Sequence, residues 1–169
     1  DVVINYDKKR IPLSSEERKK RQGQYPYYGA SSIMAYVDDY IFDGTYVLMG
    51  EDGTVIDNKG FPIIQYAYGK FWANNHTHVL QGKNQCSTNF IYLLLKRTKV
   101  NSVVTGAVQP KINQANMNSL DLALPNHNIV SKFDDIIDPI FNKTVNNTQE
   151  IQTLTKTRDT LLPKLMSGK

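Results

Sequence analysis

The chain has 169 residues, of which 40% are hydrophobic, so it can bury one core but is too short for two full domains. Its formal net charge of +4 and its pI of about 9.0 suit a polyanionic partner without requiring one. The single cysteine, Cys86, excludes an internal disulfide, and no window is as apolar as a membrane span of about 18 residues requires. We therefore expect a cytoplasmic protein that does not enter a membrane.

Residues 1–125 predict a mostly-β globular domain of the α+β class. Short runs rich in β-branched and aromatic residues are separated by turn residues, at 33–37, 45–49, 62–66 and 77–80. One stretch, 88–97, is apolar and contains no Gly or Pro, and Ser87 before it is a suitable N-cap. We predict a buried helix there.

Residues 126–169 predict a long C-terminal helix of the coiled-coil type. Ten positions recur at alternating spacings of three and four, and we call them the seam: Val130, Phe133, Ile137, Ile140, Thr144, Asn147, Ile151, Leu154, Arg158 and Leu161. So narrow a stripe is typical of a helix that faces a partner helix, and polar members such as Thr144 and Asn147 can set its register. Pro139 predicts a kink or, as the alternative, the start of a second helix capped by Asp138.

The sequence predicts no catalytic site and no metal site. Phosphate-binding glycine loops and Gly-x-Ser-x-Gly elbows are absent. One acidic group suggests a metal-dependent nuclease, but carboxylates are ordinary in turns and at strand ends; its members are Asp38, Asp39, Asp43, Glu51 and Asp52. His76 and His78 would point to the same side of a strand, yet no nearby cysteine or acidic residue completes a ligand set. We expect both histidines to be structural.

Cationic and aromatic residues are interleaved near the N-terminus. The basic runs 8–10 and 18–21 lead into the aromatic segment 25–29. Lys and Arg neutralise phosphates, whereas Tyr and Ser hydroxyls can approach base edges. The pattern favours nucleic-acid binding, and a solvated helix face at 16–21 is the alternative.

Several segments, taken together and in this order, resemble the DNA-specificity subunits of type I restriction-modification enzymes. They are YYGAS at 27–31, YVDDYIFDG at 36–44, GEDG at 50–53, GKFWANNHTHVL at 69–80, QPKINQ at 109–114, LALP at 122–125 and RDTLLPKLMSG at 158–168. Each segment is weak by itself, but their joint order across nearly the whole chain makes the resemblance specific.

The resemblance implies a subunit with two target-recognition domains, each followed by a long helix, in which the two helices pack antiparallel. Residues 1–125 would recognise one half of a bipartite target in double-stranded DNA, and residues 126–169 would form the spacer helix that docks the methylating and restriction subunits. The chain itself would hold no cofactor, since S-adenosylmethionine, ATP and Mg²⁺ are expected in the partner subunits. It is either part of a longer subunit, which its abrupt strand-like start favours, or a half-subunit that forms a homodimer.

Base-contacting residues are expected in loops and in the stretches that are least similar to the family. Asn and Gln can bind adenine through two hydrogen bonds, and Lys or Arg can bind guanine. The candidates for DNA binding are Lys19, Lys20, Arg21, Tyr27, Tyr28 and Ser31, with Lys111, Asn113 and Gln114 in a second loop. The alternative function is a coiled-coil adaptor whose β-rich head binds another protein, and a stand-alone nuclease comes third.

Overall fold

A six-stranded mixed sheet followed by one long helix makes up the computed structural model, which describes residues 2–168. The strands are β1 (Val3–Asn5), β2 (Gln22–Tyr28), β3 (Ile33–Val37), β4 (Phe42–Gly50), β5 (Ile64–Ala73) and β6 (Thr77–Gly82). The helices are α1 (Ser15–Lys20), α2 (Thr88–Leu95), α3 (Gln114–Asn118) and α4 (His127–Met166), with 3₁₀ turns at Asp7–Lys9 and Asn101–Val103. The strand order is β1-β6-β4-β5-β2-β3, and β2 pairs parallel with β5 in an otherwise antiparallel ladder. The predicted fold class is confirmed.

The local sequence pattern predicted the positions of several of these strands and helices correctly. The predicted strands at 33–37, 45–49 and 77–80 lie within β3, β4 and β6, and α2 starts behind Ser87, whose hydroxyl accepts a hydrogen bond from the Phe90 amide at 2.9 Å. The prediction at 62–66 covers only the start of β5. Strand β2 was not predicted, because Gly23 and Pro26 interrupt its sequence. Gly23 is required there, since a Cβ would collide with the backbone of β3.

A sharp bend folds the β4–β5 pair back on itself. In a straight antiparallel pair the C-terminal ends of the two strands lie far apart, yet the amide of Glu51, just after β4, donates to the carbonyl of His76, just after β5, at 2.9 Å. Gly44 and Gly69 face each other within the ladder with φ of 128° and 69°, values that L side chains rarely adopt. These two glycines supply the backbone conformation for the bend.

Helix α4 runs without interruption through Pro139, so the alternative of a second helix is excluded. The Asn126 side chain caps it by accepting from the Ile129 amide at 3.1 Å. Its 40 residues correspond to a rod of about 60 Å at about 1.5 Å per residue. None of the helices within residues 2–168 has the length and hydropathy of a membrane span.

The first turns of α4 pack on their own domain. Val130 is only 2% exposed and belongs to the main core, and the Phe133 ring meets Phe90 edge to face with centroids 5.8 Å apart. Phe141 packs in the same way against Tyr66 and Tyr92, with centroids at 4.8 and 5.9 Å. The expectation that the whole seam faces a partner helix is therefore wrong for Val130 and Phe133, because α2 and the sheet already cover them.

The later seam residues are solvent-exposed. Ile137 is half-buried in an apolar groove between α2 and α4, and the seam then continues through Ile140, Thr144, Asn147, Ile151, Leu154, Arg158 and Leu161, all exposed. Exposed fractions of 55% for Ile140, 63% for Ile151 and 60% for Leu154 are high for large apolar side chains. This part of α4 carries an unpartnered apolar stripe.

Replacing Phe133 tests the attachment of α4 to the domain. We expect Phe133→Ala to lower the free energy of unfolding by about 2 kcal/mol, because the ring is only partly buried and a fully buried Phe costs more. Ile136→Ala, three residues further along α4 at 66% exposure, is the matched control and should change stability by less than about 0.5 kcal/mol. Urea unfolding measures the free energy of unfolding of both variants, at a protein concentration where the chain has a single association state. Equal effects would contradict the docking.

Candidate nucleic-acid interface

Four turns meet at one end of the sheet, and we call this region the loop end: residues 29–32, 50–54, 74–76 and 105–113. The backbone connects them directly: Gly53 N donates to Pro110 O at 3.1 Å, and Ile112 N donates to Glu51 O at 2.9 Å. The turn at 74–76 joins through the Glu51–His76 bond, and the Asn74 amide group lies 3.5 Å from the sulfur of Met34 in β3. Loops from distant parts of the sequence thus form one surface.

A basic and aromatic groove between α1 and β3 continues from the loop end. Arg18 and Lys19 of α1 line one wall, and Met34 and Tyr36 line the other. Strand β3 lies at the edge of the sheet and has one buried and one exposed face. Val37 occupies the buried face, whereas Met34 and Tyr36 lie on the other face and are 51% and 52% exposed. Because Met34 contacts Asn74, the groove and the loop end are continuous. We refer to them together as the recognition face.

Five of the sequence-predicted residues lie exposed on this face. Lys19 lines the groove and Lys20 follows it on α1, Ser31 lies in the β2–β3 turn, Lys111 lies at the loop end, and Gln114 begins α3 directly after the loop end. A capping box at Ser14 and Glu17 fixes the start of α1 and so positions its lysines. The two predicted loops, about 80 residues apart in the sequence, therefore share one surface.

The structure corrects the prediction for Tyr27 and Tyr28, which lie in the core. Tyr27 is 1% exposed, and its hydroxyl accepts a hydrogen bond from the Leu13 amide at 2.8 Å. Tyr28 is 9% exposed with its ring edge-on to Phe71, and burial raises the pKa of Tyr28 to about 12. Both rings hold β2 in the sheet, so neither can reach a base edge.

Arg21 and Asn113 also have structural partners. Arg21 Nε is 2.9 Å from the Asp38 carboxylate, and its guanidinium lies 4.8 Å from the centre of the Trp72 ring. Asn113 caps α3, since its side-chain oxygen accepts from the Asn116 amide at 2.8 Å. A bidentate contact with adenine needs that oxygen, so the expected role of Asn113 is corrected as well.

Sequence reasoning missed Met34 and Tyr36. Their alternation with Ala35 and Val37 could have shown that they share one face of a strand. It could not have shown that β3 is an edge strand next to α1, since this depends on strand order.

A buried charge network lies beneath the loop end, centred on His78. This ring is fully buried, with Nδ1 2.6 Å from Oδ2 of Asp7 and Nε2 2.7 Å from the Ile112 carbonyl oxygen. A carbonyl can only accept, and a neutral imidazole has a single N–H. With Asp7 ionised, both ring nitrogens must therefore carry protons, and His78 is an imidazolium.

The pKa directions agree with this assignment. Burial alone lowers the pKa of His78, but the hydrogen bond and charge of Asp7, the Ile112 carbonyl and the charge of Glu51 outweigh it and raise the pKa above its usual 6.5. Burial raises the pKa of Asp7, but bonds from His78, Asn5 and the Val79 amide hold it below its usual 3.8. Each charge of the pair thus stabilises the other.

The same cluster resembles a metal site, because ligand atoms of Asp7, Glu51 and His78 lie within 4.8 Å of one another. Arg10, however, already provides the second cation: its Nη1 is 2.5 Å from Glu51 and its Nη2 3.5 Å from Asp7. Two carboxylates and two cations balance, and the guanidinium would repel a metal ion. We assign the cluster a structural role.

The two histidines do not share one side of a strand as expected. His76 lies in the turn before β6 with its side chain 48% exposed, and its Nδ1 is 2.5 Å from Oδ1 of Asp52. Strand β6 begins only at Thr77, so the alternation that would align His76 with His78 does not apply.

The structure thus combines a β domain that has an exposed basic and aromatic face with a long helix that carries an exposed apolar stripe. The family model for the type I restriction modification DNA specificity domain matches residues 1–156. The chain belongs to this family.

Curated relatives agree with the family match. The chain is 34% identical over 142 residues to a type I restriction enzyme specificity subunit from Haemophilus influenzae, covering 83% of this chain and 36% of that protein. It is 34% identical over 102 residues to the MjaIX specificity subunit of Methanocaldococcus jannaschii (59% and 24%), and 25% identical over 131 residues to the EcoprrI specificity subunit of Escherichia coli (73% and 31%). The chain thus spans about a third of the length of these relatives.

The fold is similar to that of a solved S subunit of the type I restriction-modification system from M. genitalium. The TM-score is 0.67 over 99% of this chain and 46% of that one, with 17% sequence identity. At this identity the similarity shows the fold alone.

The His78 network predicts a pH-dependent stability. Because the folded-state pKa of His78 is raised, its contribution is complete below pH 6.5 and is lost as the pH rises from 6.5 through the folded pKa. The contribution of Asp7, whose pKa is lowered, is lost only as the pH falls below 3.8. We expect His78→Gln to lower the free energy of unfolding by about 3 kcal/mol at pH 6, since it leaves Asp7 and Glu51 to share Arg10 as their cation.

Urea unfolding across this pH range measures the effect. The decrease above pH 6.5 should disappear in His78→Gln and persist in His127→Gln, a substitution at an exposed position. An unchanged decrease in His78→Gln would show that another group causes it.

Proposed function

We propose that the chain recognises one half of a bipartite target in double-stranded DNA as a type I specificity subunit or half of one. The observation that carries the proposal is the match of the DNA specificity domain over residues 1–156, together with the recognition face. Lys19 and Lys20 would contact phosphates, and Ser31, Lys111 and Gln114 would approach base edges. Arg21 has a smaller role, because Asp38 compensates its charge.

The chain would act without catalytic chemistry of its own. Most of the acidic residues considered as a nuclease site already have side-chain partners: Asp38 and Asp39 pair with Arg21, Glu51 pairs with Arg10, and Asp52 lies 2.5 Å from Nδ1 of His76. Methylating and restriction subunits would supply the chemistry, together with S-adenosylmethionine, ATP and Mg²⁺. The adaptor alternative is not favoured, because the family match covers the β domain, for which that alternative offers no specific role.

The exposed stripe of α4 would pair antiparallel with the helix of a second specificity half, either in the same polypeptide or in a second copy. Charge along α4 supports this orientation. Residues 127–140 contain one lysine and three aspartates, and residues 153–166 contain three cations and one aspartate, which gives −2 and +2. An antiparallel partner with the same pattern places opposite charges together, whereas a parallel one places like charges together.

Neutralising the α1 lysines tests DNA binding. In the double variant Lys19→Gln/Lys20→Gln, the slope of log affinity against log salt should fall by about two, and affinity at low salt should fall on the order of tenfold, because two phosphate contacts are lost. Fluorescence anisotropy with random duplex DNA at low salt, with the methylating subunit present, measures both. Lys59→Gln/Lys99→Gln, at exposed positions outside both the recognition face and α4, is the control with the same charge change. The absence of any duplex binding by the unaltered chain would overturn the proposal.

Substitution in the seam tests helix pairing. We expect Leu154→Asp to prevent association with a second half, because the substitution places a carboxylate in the apolar contact. Gln149→Asp, on the opposite face of the helix, adds the same charge and should leave association intact. Sedimentation velocity of the full chain, alone and mixed with a tagged copy, separates the two outcomes. Association that persists in Leu154→Asp would contradict pairing through the seam.

A further inference from the structure

A short projecting loop at residues 105–111, which we call the finger, stands out within the loop end. Its base is closed by two reciprocal backbone bonds: Thr105 N donates to Lys111 O at 2.8 Å, and Lys111 N donates to Thr105 O at 2.7 Å. Its rear side is held by the Gly53–Pro110 bond and by a β-bridge between Asp52 and Lys111. The finger is therefore closed at its base and attached by backbone contacts to the turn at 50–54.

The turn of the finger is tight and specific. Gly106 has φ of 85°, and a Cβ there would collide with the carbonyl oxygen of Gln109. Pro110 restricts the backbone on the other side. A finger with a closed base, a required glycine and a proline loses little conformational entropy when it binds, so contacts at its tip contribute fully to affinity.

Val108 forms the tip and is 99% exposed, the largest exposed fraction among the large hydrophobic residues described. A single exposed valine is ordinary on a protein surface. Two features distinguish Val108: its rigid mount and its place on the recognition face. The finger contains no acidic residue, and Gln109 beside the tip and Lys111 at the base are exposed, so nothing in it would repel phosphates.

We propose that the finger enters the major groove of the DNA half-site and that Val108 packs against the 5-methyl group of a thymine. This inference rests on the proposed DNA-recognition function and deepens it. The major groove accommodates a two-stranded β-ribbon, so a loop closed by the single Thr105–Lys111 bridge also fits there, and the thymine methyl is the one apolar group on a base edge in that groove. The side chains that open base steps in the minor groove are longer, such as Phe, Leu, Ile, Met and Pro, so Val108 is better suited to a methyl contact. Gln109 lies beside it and could bond to the adjacent base.

The test begins with a half-site selected by the full chain from a random duplex pool. Each thymine of that site is then replaced in turn by deoxyuridine, which removes only the 5-methyl group. One replacement should weaken binding by the unaltered chain about fourfold, the value of one buried methyl-sized group. Val108→Ala should weaken binding to the original duplex by a similar factor and should lose nothing further on that one replacement. This coupling identifies the contact, because a merely structural change would not depend on a methyl group of the DNA.

The controls separate this inference from the proposed function. Gln85→Ala, in the exposed turn after the far end of β6, should bind like the unaltered chain. Val108→Asp should bind more than tenfold more weakly, and an unchanged circular dichroism spectrum and melting temperature would show that it folds. A half-site without any A·T pair, equal binding by Val108→Asp, or no coupling at any thymine would overturn the finger contact while leaving DNA recognition intact. Failure of the unaltered chain to bind any duplex would overturn both.

Discussion

The imidazolium of His78 connects three segments that are far apart in the sequence. It binds Asp7 in the segment after β1 and the carbonyl of Ile112 at the base of the loop end, while it lies within β6 itself. Arg10 extends the network to Glu51, and the backbone of Glu51 in turn bonds to His76 and Ile112. Removing any one of these charges would leave the others buried without compensation, which is costly in a protein interior. The loops of the recognition face are thus held from below by electrostatics as well as by apolar packing, since Ile112 at the loop end is fully buried in the main core.

The paired glycines at 44 and 69 make that network possible. Without the bend, the turn after β5 would lie at the far end of β4 and could not bond to Glu51. The bend also brings together rings that are four positions out of register in the ladder, since Tyr46 pairs with Ala67 yet its ring lies 5.4 Å from that of Phe71. Backbone conformation, aromatic packing and buried charge therefore support the same closed arrangement, as expected for a sequence that specifies one structure.

Local sequence patterns, together with the segments that resemble the family, predicted much of the fold but few of the side-chain positions at the site. The Ser87 cap and the apolar run behind it define α2, because capping and helical propensity act within a few residues. The roles of Tyr27 and Tyr28 depend on which face of β2 is covered, and their neighbours in the QGQYPYY segment do not reveal this. The acidic partner of His78 lies 71 residues away, so spacing within the sequence could not locate it. The seam shows the same limit, since a three-and-four repeat does not tell whether the domain or another helix covers it.

The first residues of the seam pack on the domain, whereas those from Ile140 onward are exposed, and this difference affects how the recognition face is positioned. Two hydrogen bonds, from Ser87 to Asp134 at 2.7 Å and from Asn89 to Asp138 at 2.8 Å, join α2 to successive turns of α4. Together with the aromatic contacts of Phe133 and Phe141, they fix both the direction of the helix and its rotation about its own axis. The exposed stripe beyond Ile140 therefore has a defined orientation relative to the recognition face. A partner that binds this stripe would fix the position of the whole recognition face, because these contacts hold α4 against the domain.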